Sequence, residues 1–119
     1  MRFDFPSTSV ELTINGVECT LDVGDAEMQD RLQEASDIAR RGDLSDEQAC
    51  VQASERLRGI VSAILGDEAT DQIYKDVRPN LYKDVELVAF LRTAMNESGP
   101  TQRFTTTMNA LDAVIGIDD

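Results

Sequence analysis

The chain has no histidine, no tryptophan, 2 cysteines and 3 prolines, and aromatic residues make up only 5% of it. Without histidine the commonest general base is missing, and with it any Ser–His or Cys–His pair. Cys19 and Cys50 lie far apart in sequence, which excludes the usual zinc spacings and the Cys-x-x-Cys redox motif. Each cysteine falls on or beside the apolar side of its expected element, so both read as small core hydrophobes in a reducing compartment. No apolar run approaches the ~20 residues that span a bilayer. Met1 to Val10 contains Asp4 and Pro6 and has no apolar stretch of the secretory kind, so a cytoplasmic protein is expected.

Phosphate-binding glycine loops are also missing. Asp67, Glu68 and Asp71 form an acidic cluster, but the alternating oxygens and the glycine of a calcium loop are not there. Acids in the first turn of a helix explain the cluster better. Whether two carboxylates face each other for sugar hydrolysis is a three-dimensional question, and a chain this short has little room for the cleft. A non-enzyme without metal or cofactor is expected.

What the chain does have is acid. Twenty-three Asp and Glu against 11 Lys and Arg give a net charge of −12 over 119 residues. Such a chain repels nucleic-acid phosphates and anionic membranes, and it is steered toward basic partners. Hydrophobic residues make up 41% of it, enough for one packed core of mostly Leu, Ile, Val, Ala and Met.

The clearest local signal is Val10-Glu-Leu-Thr-Ile14, Asn15-Gly16, Val17-Glu-Cys-Thr-Leu21. Asn-Gly accepts the positive φ angles of a two-residue type I′ turn. That loop pairs Ile14 with Val17, Leu12 with Cys19 and Val10 with Leu21, which places every apolar residue on one face. An isolated hairpin is marginal in water, so this face must lie on helices. Ahead of it, Phe3 and Phe5 are expected to tuck onto the domain.

Helices follow. Asp25 caps one that runs to Arg40-Arg41, with Gly42 as its stop. A second opens at Ser45 with Gln48 as a capping box and Leu44 and Ala49 as a hydrophobic staple, and it runs to Leu65. Gly66 ends it, and a short helix from Asp67 or Thr70 carries Ile73 and Tyr74. Pro79 bars continuation, Asn80 caps a helix from Leu81 to about Asn96, and Gly99-Pro100 ends that one. The expected fold is α+β, mostly α: an N-terminal two-stranded antiparallel β-hairpin packed on a bundle of about four helices. Residues 1–99 form the domain. Residues 100–119 form a mobile C-terminal tail with one candidate helical stretch, Thr107 to Val114.

This succession resembles the small tail assembly chaperones of long-tailed phages and prophages of Gram-positive bacteria. The resemblance rests on Leu12-Thr-Ile-Asn-Gly-Val-Glu-Cys-Thr-Leu-Asp22, on Ile64-Leu65-Gly66-Asp67 followed by Ile73-Tyr74, and on a helix opened by Asn80-Leu81. It covers Glu11 to Leu91. The family usually has Phe where this chain has Ile64, Leu65 and Tyr74, and the threonine-rich segment after Pro100 matches no family pattern.

The resemblance implies a non-catalytic protein of the host cytoplasm, absent from the mature virion. Its partners would be the tape measure protein, which it keeps soluble, and the tail tube protein, whose subunits it helps recruit. It also suggests self-association, for which the two open edges of the hairpin offer a route. Tape measure proteins are long and helical with apolar stripes, so the expected partner-binding surface is Ile73, Tyr74, Leu81, Leu87, Phe90 and Leu91. Ordinary core packing is the competing explanation for each of these six. Two other functions stay open: an acidic inhibitor that mimics nucleic acid, and a generic cytosolic adaptor. The inhibitor needs acids gathered on one continuous surface, whereas here they spread over every helix.

Overall fold

The computed structural model describes residues 1–41 and 46–117, with side chains as far as Ala113. It is α+β and mostly α: a two-stranded antiparallel hairpin, β1 (Ser9–Ile14) and β2 (Val17–Asp22), followed by five helices. These are α1 (Ala26–Arg41), α2 (Glu47–Leu65), α3 (Asp67–Ile73), α4 (Leu81–Asn96) and α5 (Gly99–Ile117).

The hairpin has the expected register, with Ile14 opposite Val17, Leu12 opposite Cys19 and Val10 opposite Leu21. Asn15 and Gly16 both take positive φ, as a type I′ turn requires. Ile14 and Leu21 are buried, and Glu11, Thr13, Glu18 and Thr20 face solvent. The turn is also anchored, because the Asn15 side-chain amide donates to the Ile73 carbonyl at 3.0 Å. One turn residue thus makes the hairpin and docks it on α3.

Asp25 caps α1 by accepting from the Glu27 N–H at 3.0 Å. The helix buries Met28, Leu32, Ala35 and Ile38 along one line. Helix α2 begins at Glu47, and its cap falls one residue after the expected Ser45. Asp46 is its N-cap, accepting from the Gln48 N–H at 3.0 Å. Gly42, Leu44 and Ser45, invoked above as a stop, a staple and a cap, lie outside the described residues. Helices α1, α2 and α4 pack on one another, while α3 and the hairpin close against α2. Leu21, Leu32, Leu57, Val61 and Leu91 form the most deeply buried part of the core.

Gly66 separates α2 from α3 with φ 95° and ψ 150°, a conformation essentially reserved for glycine. Its N–H donates to the Ser62 carbonyl at 2.8 Å, and its carbonyl accepts from the Thr70 N–H at 3.1 Å. It therefore closes one helix and opens the next. Asn80 caps α4 as expected, accepting from the Lys83 N–H at 3.2 Å.

Two expectations about the ends of the chain are corrected. Phe3 and Phe5 do not tuck onto the domain; they stay exposed and stack edge to face on each other, 5.3 Å between centroids. Gly99-Pro100 does not open a tail with a short helical stretch from Thr107, because α5 is continuous from Gly99 to Ile117. The reason is local. Ser98 acts as an N-cap whose hydroxyl accepts from the Thr101 N–H at 3.2 Å, and proline in a first helical turn lacks only an N–H that would have no partner there.

Candidate functional site

Two regions combine side chains in a way that packing of apolar faces does not require: the junction of α2, α3 and α4, and the surface around α5. At the junction, Asp84 stands on the buried line of α4 between Leu81 and Val88 and is fully buried. A buried carboxylate is costly unless it is paired and hydrogen-bonded. Here α2 supplies both partners from one face, four residues apart. The fully buried Ser54 hydroxyl donates to one carboxylate oxygen, and Arg58 Nε donates to the other at 3.3 Å.

The rest of the Arg58 guanidinium secures the segment between α3 and α4. Its terminal nitrogens donate to the Val77 carbonyl at 2.9 Å and to the Arg78 carbonyl at 2.7 Å. The Asn80 N–H donates to Ser54 Oγ at 3.2 Å. The guanidinium also lies 4.2 Å from the centre of the Tyr74 ring, within cation–π range. One arginine therefore binds the start of α4, the loop before it and the end of α3. The segment ahead of Pro79 has no helix or strand to satisfy its carbonyls, and Arg58 supplies the missing donors.

The Tyr74 hydroxyl is buried without a hydrogen bond of good geometry. Burial pushes its pKa well above the ordinary value near 10, the Asp84 carboxylate adds to the rise, and Arg58 opposes it. Cys19 on β2 is also pushed up by burial. A phenol held neutral beside a carboxylate engaged on both oxygens is suited to holding helices together. No group in the cluster is presented to solvent as a nucleophile.

The six residues expected to contact a partner divide by burial. Ile73, Leu81 and Leu91 belong to the core, with Leu91 fully enclosed. Tyr74 and Leu87 are half-buried and pack against that core. Phe90 is on the surface, 44% exposed, three residues from Leu87 on α4. The available part of the expected surface is thus Phe90 with the outer parts of Leu87 and Tyr74.

Sequence reasoning missed Ser54, Arg58 and Asp84. A signal was present: Asp84 interrupts the line Leu81, Val88, Leu91 at helical spacing, and an acid in such a line requires a partner. A half-open groove of about 500 Å³ lies among the lead-in, α1, α4 and α5, lined in part by Val23, Met95, Pro100 and Phe104. Among the described residues no cluster of three or more potential metal ligands occurs, and no helix is long and apolar enough to cross a membrane. No protein-family model, no curated protein and no solved structure matches this chain.

Proposed function

We propose that this chain is a phage tail assembly chaperone, which binds a tape measure protein in the host cytoplasm and keeps it soluble until tail tube subunits assemble around it. The observation that carries the reading is the order of punctuation along the chain. An Asn-Gly hairpin ending in Leu21-Asp22, a glycine joint at Gly66 and an Asn80-capped helix succeed one another as in that family.

Physical arguments support it as well. A net charge of −12 keeps a binding protein soluble and disfavours phosphate-rich partners. Phe90 offers an aromatic anchor on a helix face, and Leu87 beside it extends the apolar contact. A long helical partner with an apolar stripe would lay that stripe along α4, in the manner of a helix docking on a groove.

The test is co-expression with the product of the longest neighbouring gene, followed by affinity purification. The expected result is co-purification of a long protein that is insoluble when made alone. Phe90→Ser should weaken capture while leaving the thermal transition of this chain unchanged, because Phe90 is outside the core. A long neighbour that is soluble unaided and ignores this chain would remove the chaperone reading.

A further inference from the structure

The hairpin has two strands, so each has an edge that pairs with no further strand. Along β2 that edge borders an open groove of about 510 Å³, whose far wall is the end of α2 and the start of α3. The register tells which backbone groups are open. Ile14 and Val17 close a two-residue turn and exchange both hydrogen bonds, and every second pair along the ladder does the same. The N–H and C=O groups of Glu18 and Thr20 therefore point away from β1, with no hydrogen-bond partner among the described residues. Further along, the edge is closed, because the Asp22 carbonyl accepts from the Asp25 N–H at 3.3 Å. Two donors and two acceptors thus stand open beside the groove.

We propose that this groove takes an extended peptide segment of alternating basic and apolar residues, which adds to β2 as a third strand. The backbone groups of Glu18 and Thr20 supply the ladder, as a sheet edge does wherever it recognises a peptide. Four residues of β2, Val17 to Thr20, border the groove, so a segment of about five residues, ~16 Å long, spans it.

Side chains of an added strand alternate between the two faces of the sheet. On one face they neighbour the exposed Glu18 and Thr20, with Glu11 across the ladder from Thr20. On the other they neighbour Val17 and Cys19 and meet Leu65 and Ala69, all half-buried apolar groups that a third strand would cover. Charge selects the partner. Glu18, Asp67 and Glu68 line the groove, and none of its lining residues is Lys or Arg. Asp67 accepts from the Ser62 hydroxyl, whereas the Glu18 and Glu68 carboxylates have no ion pair among the described residues. Lysine or arginine at alternate positions of the segment supplies their counter-charges, and an acidic strand is repelled.

This surface is separate from Phe90 on α4, and the proposal does not rest on the chaperone reading. Its test is a fluorescein-labelled Lys-Val-Lys-Val-Lys amide, titrated with the full chain and read by anisotropy. An interface this small is weak, so saturable binding in the micromolar range is expected. Glu18→Lys and Glu68→Lys should each weaken it roughly tenfold, while Glu34→Lys on α1, with the same change in net charge, leaves it within about threefold. All three glutamates are exposed, so the thermal transition should not move. N-methylation separates strand addition from attraction to an acidic surface. Methylating one alternate set of peptide amides, those of the lysines or those of the valines, should abolish binding, because only one set faces β2. The other set should tolerate it. Bound peptide should also slow alkylation of Cys19 relative to Cys50, since Cys19 lines the groove. Binding that ignores N-methylation of both sets would overturn the proposal. So would equal losses at Glu34 and Glu18, or no saturable binding below millimolar concentration.

Discussion

Helices α4 and α5 are neighbours in the chain, joined by two residues, and their lengths are similar at 16 and 19 residues. Both carry apolar side chains at helical spacing. Yet α4 buries Leu81, Val88 and Leu91 and even an aspartate, whereas every described α5 side chain beyond Thr101 is exposed. The difference lies in what each helix meets. Helix α4 runs between α1 and α2, and Arg58 locks its start, while α5 touches the body chiefly at its root on α4. Periodicity marks a face able to be covered, and only the arrangement of neighbours decides whether the same molecule covers it.

The largest effect that tests this contrast is at Arg58. Arg58→Ala leaves the Asp84 carboxylate buried without its counter-charge and frees two loop carbonyls, so the body should lose about 3–5 kcal/mol in urea unfolding. If the loss were no larger than that of an exposed arginine, the lock on α4 would be packing alone.

A paired substitution compares the helices directly. Leu91→Ala should cost about 2–5 kcal/mol, the usual loss for a fully buried leucine. Leu111→Ala should cost within about 0.5 kcal/mol, because its side chain is exposed. Equal costs would break the comparison.

Gly66→Ala probes the joint that orients the body. Its Cβ meets no atom within 4 Å, so the penalty is purely conformational, about 1–3 kcal/mol in thermal or denaturant unfolding.

The smallest effect is at Tyr74. Its folded pKa is raised, so the unfolded chain releases the phenolic proton first. Stability from this group is complete below pH 10 and falls as pH rises above it. At pH 7 Tyr74→Phe should nevertheless be neutral or slightly stabilising, because it removes a buried hydroxyl without a hydrogen bond of good geometry. It should also flatten part of the decline above pH 10 in a denaturation series.

Much of the body could be read from local chemistry. Asn15-Gly16 set a two-residue loop, and alternation of apolar residues set the same register, so the two signals reinforced each other. Gly66, Pro79 and Asn80 marked the helix boundaries because each acts on backbone torsions or donors within a few residues. The start of α5 was not read, because Gly99-Pro100 reads as a stop when only the preceding helix is considered, and the Ser98 cap emerges only in the structure. Ser54, Arg58 and Asp84 were harder, since a charged residue in an acidic chain reads by default as a solvated one. Their pairing joins positions 26 to 30 apart, which no local pattern encodes.

The candidate surface was legible only in part for a related reason. Ile73, Leu81 and Leu91 have the same apolar character as Phe90 and share its neighbourhood in sequence. Burial separates them, and burial depends on which helices converge.

The sequence by itself determined the hairpin, its register, the class of fold and most helix ends, because turn torsions, capping and side-chain alternation act over a few residues. Only the tertiary structure decided that Asp84 is buried against Arg58, that Phe90 stays outside while Leu91 is enclosed, and that α5 keeps its stripe in solvent. Each of these outcomes depends on contacts between elements distant in the chain, and the energy of a side chain follows from what surrounds it in space.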